Sequence, residues 1–162
     1  MSRVIIIMGS KSDLEFADRI AKALREFGVP FETRIASAHK TPEKVISILT
    51  ENERKNEPIV YITVAGRSNA LSGMVDANTR YPVIACPPYS EKFAGADVFS
   101  SLRMPSGVAP VVVLEPEAAA LAAVKILSLV DTTLAGKIAE YQKRMKERLE
   151  REDEEVRGRG SS

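Results

Sequence analysis

The chain has very little of three residue types on which many binding sites depend: its 162 residues include one histidine, one cysteine and no tryptophan. A single cysteine cannot form an intramolecular disulfide, and one histidine beside it cannot complete a zinc site. The chain also has no large excess of one charge, since 23 Lys and Arg residues are nearly balanced by 22 Asp and Glu residues and the formal net charge is +1. This balance gives no support to a general nucleic-acid binder, so we expect neither a metal cofactor nor a nucleic-acid partner.

Long apolar runs are missing as well. The longest apolar-rich stretch, residues 118–130, is interrupted by Lys125 and Ser128 and is too short to span a membrane. The first residues contain a run of five apolar residues before a Gly-Ser turn, fewer than a secretory signal needs. We therefore expect a cytoplasmic protein without a membrane partner. At 17.7 kDa the chain suffices for one domain, which typically buries roughly 68–70% of its unfolded surface.

Short runs of branched apolar residues alternate with segments of helical periodicity. Alternation at this spacing predicts an α/β fold with a parallel sheet and right-handed crossovers. A three-layer, flavodoxin-like (Rossmann-like) arrangement is the simplest candidate, and the strand order stays open at this point. The predicted strands are residues 4–8, 31–36, 59–64, 83–86 and 111–114.

Local signals mark the ends of the helices. Ser12 or Asp13 can cap the first helix, and Gly28 stands where helices commonly end on glycine. Thr41 before Pro42 is typical of an N-cap followed by proline at the first helical position. Further helices are predicted around residues 71–74, 96–102, 117–130 and 132–155.

The last part of the chain lies beyond the predicted sheet. We divide the chain into an α/β domain at residues 1–130, a long amphipathic helix at 131–156 and a flexible tail at 157–162. The helix either packs on its own domain or reaches across to a partner subunit. The partner interpretation is favoured because the domain already has its helices, so we expect a homo-oligomer. The apolar stripe of the helix consists of Leu134, Ile138, Tyr141, Met145 and Leu149.

Three polar loops follow the first three predicted strands, at residues 9–13, 37–42 and 65–69. Because ligands of open parallel sheets bind at the carboxyl ends of the strands, these loops should meet at one edge. The first loop has the glycine and hydroxyls of a phosphate cradle but lacks the spacing of a P-loop or a GxGxxG motif. Asp13 would repel a phosphate, yet it could accept hydrogen bonds from ribose hydroxyls. The alternative is that Ser12 and Asp13 only cap the helix.

His39 is the side chain of these loops whose ordinary pKa, about 6.5, suits proton transfer at neutral pH. A plain surface histidine is the alternative. Lys40 and Arg67 offer positive charge to an anionic substrate, or they are simply solvated loop charges. Cys86 ends an apolar run and is better explained as a small buried residue than as a nucleophile. The long loop at residues 87–109 is a candidate lid or subunit contact.

Five motifs occur along the chain in a fixed order: GSKSD, SAHKTP, AGRSN, ACPP and SSLRMPSG. With these motifs, residues 4–130 closely resemble the phosphoribosylaminoimidazole carboxylase (PurE) family of purine biosynthesis. The family has two branches. Class I is a mutase of N5-carboxyaminoimidazole ribonucleotide, and class II carboxylates 5-aminoimidazole ribonucleotide (AIR) directly with CO2. The mutases typically have SAHR and a second histidine in a stretch like GGAAHLPG, where this chain has SAHK and GRSNALSG, so it resembles the direct carboxylase.

The resemblance implies a role for each polar loop. His39 matches the catalytic histidine, a general acid and base, and Lys40 stands in place of the arginine that contacts substrate in the mutases. The phosphoribosyl part of the substrate would be held by residues of the first two loops: Ser10 and Asp13, with Ser12 and Ser37 nearby. A small CO2 site would be shaped by the third loop: Gly66, Arg67 and Ser68.

The same resemblance implies that AIR and CO2 are converted reversibly to 4-carboxy-5-aminoimidazole ribonucleotide (CAIR), without biotin, metal or ATP. It also implies a homo-oligomer, a tetramer or octamer, with the substrate site near subunit contacts. Two alternatives stay open. One is the mutase, and the more remote one is a non-catalytic nucleotide-binding module on the same fold.

Overall fold

Short runs of branched apolar residues form one parallel sheet in the computed structural model, which describes residues 1–160. The strands are β1 (Arg3–Met8), β2 (Phe31–Ile35), β3 (Ile59–Val64), β4 (Val83–Ala85) and β5 (Val111–Val112). They lie in the order β2-β1-β3-β4-β5, and every adjacent pair is parallel. This is the strand order of the flavodoxin-like fold, so the predicted fold class is confirmed and the order that the sequence left open is fixed.

Helices cover both faces of the sheet and make the three layers. They are α1 (Leu14–Glu26), α2 (Pro42–Glu53), α3 (Ala70–Ala77), α4 (Phe99–Leu102), α5 (Pro116–Leu127) and α6 (Thr132–Arg159). One buried cluster joins the sheet to α1, α5 and the start of α6, and a second joins it to α2 and α3. No helix in the described part of the chain is long and apolar enough to cross a lipid bilayer.

Strand β1 explains why the chain opens with an unbroken apolar run. Successive side chains of a strand point to opposite faces of the sheet. Val4 and Ile6 pack in the cluster under α1 and α5, while Ile5 and Ile7 pack in the cluster under α2, and all four are fully buried. A strand covered on both faces must be apolar at every position, as parallel sheets require.

Gly28 ends α1 in the way that its sequence position predicts. Its backbone is left-handed, with φ at +65°. The Gly28 N–H donates to the Arg25 carbonyl at 2.9 Å and the Val29 N–H donates to the Leu24 carbonyl at 3.0 Å, which is a Schellman motif. Lys137 of α6 adds a third bond, because its ammonium donates to the free Phe27 carbonyl at 2.8 Å. The end of α1 is therefore a docking point for α6.

The long helix α6 behaves differently along its length. Leu134 and Ile138 are buried against the domain, so the first turns pack on the same chain. Met145 and Leu149, from the same predicted stripe, are exposed on the described chain. The interpretation that the helix packs on its own domain is therefore confirmed for its first turns, and contact of the second half with a partner subunit stays a prediction.

The carboxyl end of α6 corrects one expectation. The sequence predicts a flexible tail at residues 157–162, but the helix continues to Arg159, and residues 161–162 lie outside the described part of the chain. Ion pairs four residues apart support this extension, including Arg148 with Glu152 at 2.7 Å and Arg159 with Glu155 at 2.8 Å.

Cys86 follows β4 and is completely buried. Burial raises the pKa of its thiol to about 12, so the thiolate is scarce at neutral pH. Its Sγ lies 3.7 Å from the Leu114 carbonyl oxygen, to which it donates. The interpretation of this cysteine as a small buried residue is confirmed.

Gly28 at the end of α1 and Gly136 within α6 give opposite predictions for stability. Gly28→Ala should lower the free energy of unfolding by about 1–2 kcal/mol, because a residue with a Cβ is disfavoured in the left-handed region. The new Cβ would also lie 2.8 Å from Lys137 Nζ. Gly136→Ala is the matched control: a Cβ there meets nothing within 4 Å, and alanine is the better helix former by about 1 kcal/mol, so stability should rise.

Urea unfolding of both variants at one protein concentration measures the two effects. If Gly28→Ala were as stable as the wild-type chain, the left-handed end of α1 would not be the constraint described here.

Candidate active site

One cavity lies at the carboxyl edge of the sheet, where the loops after the first four strands meet. Its volume is about 540 Å³, within the range of small-molecule sites. It lies at the topological switch point beside β1, whose neighbours β2 and β3 are on opposite sides of it in the sheet. Ligands of this fold usually bind at that point. Every site residue named from the sequence lines it: Ser10, Ser12, Asp13, Ser37, His39, Lys40, Gly66, Arg67 and Ser68.

The first loop holds its own shape through serine hydroxyls. Ser10 Oγ accepts from the Ser12 N–H at 3.2 Å and lies 3.0 Å from Ser12 Oγ, which closes a short 3-10 turn at Lys11–Asp13. Asp13 stands at the N-cap of α1, but its carboxylate makes no capping bond there. The expectation that Ser12 or Asp13 caps α1 through its side chain is therefore wrong, because Ser10 caps the preceding turn instead.

The Asp13 carboxylate is thus left facing the cavity. Partial burial raises its pKa above the ordinary value, against the opposing effects of a backbone hydrogen bond from Ser10 and the charge of Arg67. A carboxylate in this position accepts hydrogen bonds from hydroxyl groups and repels phosphate.

The second loop is a closed turn that presents His39. Thr41 Oγ1 accepts from the Ser37 N–H at 2.9 Å and donates to the Ser37 carbonyl at 3.3 Å. Ser37 Oγ accepts from the Lys40 N–H at 3.1 Å. Thr41 does precede Pro42 at the start of α2, as predicted, but its hydroxyl closes this turn and does not cap the helix. The His39 side chain is exposed and makes no hydrogen bond to residues 1–160, so its imidazole is free to meet a ligand.

The third loop contains an unusual backbone. Arg67 has φ at +58°, a left-handed conformation that costs free energy in a residue with a Cβ. The Arg67 carbonyl accepts from Ser100 Oγ at 3.0 Å, and Asn69 Oδ1 accepts from the Ser72 N–H at 3.2 Å, which caps α3. The loop is therefore fixed on the carboxyl side of its left-handed residue.

Beneath the third loop lies a chain of buried polar side chains. Thr63 Oγ1 lies 2.8 Å from Ser72 Oγ, Ser72 Oγ donates to Asn69 Oδ1 at 2.9 Å, and Asn69 Nδ2 donates to Ser101 Oγ at 2.8 Å. Buried polar groups that satisfy one another in this way specify one arrangement of the elements that carry them. This series of hydrogen bonds links β3, α3 and α4.

The carboxyl-terminal part of the long loop is also docked on α3. The Ala109 N–H donates to Asp76 Oδ2 at 2.7 Å. A Cβ on Gly73 would come within 3.1 Å of Met104 Sδ, so the absence of a side chain at Gly73 allows the loop to approach. This part of the loop belongs to the body of the fold.

The charges around the cavity are unbalanced. Lys40, Arg67 and Lys92 line it together with one carboxylate, that of Asp13. Neither Lys40 nor Arg67 forms an ion pair with a carboxylate in the part of the chain that the structure describes. Unpaired cations beside an exposed imidazole and several hydroxyls suit an anionic ligand that undergoes proton transfer.

A fourth loop was missed from the sequence. Pro88, Tyr89, Ser90 and Lys92, which follow β4, line the same cavity. The ACPP motif could have placed these residues in the site, because β4 ends at the same edge as β1 and β3 and ligands bind at the carboxyl ends of parallel strands. The two prolines that open this loop carry no hydrogen-bonding side chain, so composition alone does not mark the loop as part of a ligand site.

Comparison with known proteins agrees with this geometry. The family model described as AIR carboxylase matches residues 3–148. Phosphoribosylaminoimidazole carboxylase of Archaeoglobus fulgidus is 57% identical over 155 residues, which cover 96% of this chain and 85% of that protein. The bifunctional phosphoribosylaminoimidazole carboxylase/phosphoribosylaminoimidazole succinocarboxamide synthetase of Mus musculus is 46% identical over 127 residues, 78% of this chain and 30% of the mouse protein.

A solved structure extends the likeness to three dimensions. The crystal structure of Treponema denticola PurE matches with a TM-score of 0.94 and 49% identity, over 96% of this chain and 99% of that one. The family match spans the sheet, all four site loops and most of α6. The chain therefore belongs to the AIR carboxylase family, the phosphoribosylaminoimidazole carboxylases of purine biosynthesis.

Proposed function

We propose that the chain carboxylates AIR directly with CO2 to form CAIR, with His39 as general acid and base. The observation that carries the proposal is the position of the chain's single histidine, which lines a cavity that also gathers three cationic side chains. General acid–base catalysis of this kind contributes about 100- to 10,000-fold to a rate.

The motifs favour the direct carboxylase over the mutase. The chain has SAHK and GRSNALSG where the mutases typically have SAHR and a stretch with a second histidine. The relatives described above carry the name carboxylase, including one from an animal. Direct carboxylation needs a single proton transfer at the ring carbon, which one imidazole can perform.

The polar loops suggest how the nucleotide would lie. The Ser10 and Ser12 hydroxyls offer hydrogen bonds to the phosphoribosyl part, and Ser37 stands nearby on the second loop. Asp13 suits the ribose hydroxyls, because a carboxylate accepts their hydrogen bonds but repels a phosphate. Lys40 supplies positive charge for the anionic substrate.

The chemistry follows from the electron-rich ring of AIR. Its C4 attacks the carbon of CO2, a C–C bond forms, and one C–O π bond of CO2 becomes the lone pair of a carboxylate. C4 is then tetrahedral and still carries its proton. His39 takes this proton, and the electrons of the C–H bond restore the aromatic ring. In reverse, His39 protonates C4 before CO2 leaves. No redox step or phosphoryl transfer enters this balance.

The third loop would form the CO2 site. Gly66 has no side chain, and a Cβ there would lie 3.6 Å from the Pro88 carbonyl oxygen, so the glycine leaves space beside the wall of the cavity. The Arg67 guanidinium would stabilise the carboxylate as its charge develops, and Ser68 completes the lining. Holding CO2 against the ring supplies the remaining rate enhancement as an orientation effect.

We also propose that the chain is a homo-oligomer of four or eight subunits. In this arrangement residues 1–130 form the α/β domain, residues 131–156 form the helix for oligomer packing, and the second half of that helix packs on another copy. Met145 and Leu149 on the second half of α6 are exposed, as is Tyr89 beside the cavity, 81% exposed. Exposed apolar residues at these two places support subunit contacts along α6 and near the site.

A reaction without ATP tests the proposed function. Purified full-length chain supplied with AIR in CO2-saturated buffer should form CAIR rapidly, because the ring carbon attacks CO2 without prior activation. Rapid formation of CAIR would support the direct carboxylase. Turnover only of N5-carboxyaminoimidazole ribonucleotide would identify the mutase, and binding of AIR without either reaction would leave a nucleotide-binding module.

The role of His39 has its own test. His39→Asn keeps a polar side chain of similar reach but removes the titratable group, so the carboxylation rate should fall by about 100-fold or more. Titration calorimetry with AIR should show a dissociation constant close to that of the wild-type chain, since the phosphoribosyl contacts lie on other residues. A variant that keeps its full rate would exclude His39 as the acid–base group.

A further inference from the structure

Ser100, on α4 in the long loop, touches the backbone of the third site loop at two points. Its hydroxyl donates to the Arg67 carbonyl at 3.0 Å, with the Asp97 carbonyl at 2.8 Å as a second acceptor. The same oxygen accepts from the Asn69 N–H at 3.0 Å. Ser100 itself is half-buried and does not line the cavity.

Both contacts lie on the carboxyl side of the one left-handed residue of the loop. Arg67 has φ at +58°, and such a backbone persists in a residue with a Cβ only when its surroundings hold it. The bond to the carbonyl of Arg67 holds the peptide unit that follows this residue, and the bond from the N–H of Asn69 holds the next one, so the two flank Ser68. Without the Ser100 hydroxyl the carbonyl of Arg67 would turn to solvent, and the left-handed backbone would lose the contact that fixes its carboxyl side.

Asn69 is held independently of Ser100. Its side chain joins the buried chain that runs through Ser72 and Ser101, and all three are nearly inaccessible to solvent. Asn69 therefore anchors the end of the loop to the body of the fold, whereas Arg67 depends on Ser100. The loss of the Ser100 hydroxyl can therefore change the backbone conformation of Arg67 and leave the buried hydrogen bonds of Asn69 intact.

We propose that Ser100 is a positioning residue of the site, which acts through Arg67 by holding its left-handed backbone so that the guanidinium faces the cavity. The substrate class that it serves is an anion recognised by Arg67. The proposal rests on the proposed substrate-binding role of Arg67 and adds a residue from outside the cavity. It also explains why the long loop is docked on the third loop and not only on α3.

A double-mutant cycle tests this dependence. Ser100→Ala should weaken binding of CAIR, whose carboxylate is the group proposed to meet Arg67, by about 3- to 10-fold in titration calorimetry, the value of one hydrogen bond of this kind. Alanine is a good helix residue, so α4 should still form. Ser100→Thr keeps the hydroxyl and should restore the affinity.

In an Arg67→Gly background the same Ser100→Ala change should have almost no effect on affinity. Glycine adopts the left-handed backbone without strain, and the guanidinium that Ser100 positions is gone. Ser128→Ala is the matched control, because it also removes a hydroxyl bonded to a backbone carbonyl, that of Lys125 at 2.6 Å, but at the end of α5. It should leave the affinity for CAIR unchanged.

Three results would overturn the proposal: unchanged affinity in Ser100→Ala, an equal loss in the Arg67→Gly background, or a threonine variant as weak as the alanine variant. The binding cycle also separates this proposal from the proposed function. A wild-type chain that binds AIR but does not carboxylate it would contradict direct carboxylation, while the affinities of the variants would still decide the role of Ser100.

Discussion

The parallel pairing of β1 with β2 on one side and β3 on the other is the constraint on which the rest of the structure depends. It brings the carboxyl ends of these strands to one edge, although the loops that follow them are separated by more than twenty residues along the chain. It also buries both faces of β1, which requires helices on both sides. The cavity, its lining and the three-layer architecture follow from this pairing.

In the second and third site loops, the residues that hold the backbone are distinct from the cationic and imidazole side chains that line the cavity. Ser37 and Thr41 close the turn under His39, and Asn69 with Ser72 fixes the loop that carries Arg67. These hydrogen bonds use backbone groups and hydroxyls, so the imidazole and the cations keep no side-chain partner among residues 1–160. A site built in this way is ready for an anionic ligand before the ligand arrives, which lowers the cost of ordering it.

Much of this arrangement could be predicted from the sequence, because it depends on rules that act locally or through sheet topology. The convergence of the loops follows from parallel strands, and the end of α1 follows from the conformational freedom of Gly28. The partners of Asp13 and Thr41 could not be predicted, since a side-chain oxygen can bond a helix N–H or a nearby turn equally well. The extension of α6 to Arg159 was missed because a polar, glycine-containing segment was expected to fray, whereas its ion pairs are compatible with a helix.

Direct carboxylation of AIR, as we propose it, requires that CO2 itself is the carboxyl donor in the cavity beside His39. The most direct measurement is the initial rate of CAIR formation from AIR when the reaction is started with dissolved CO2 or with bicarbonate, before the two forms equilibrate. We expect immediate turnover with CO2 and a lag with bicarbonate that added carbonic anhydrase removes. Equal initial rates with both forms, or turnover that needs N5-carboxyaminoimidazole ribonucleotide, would contradict it.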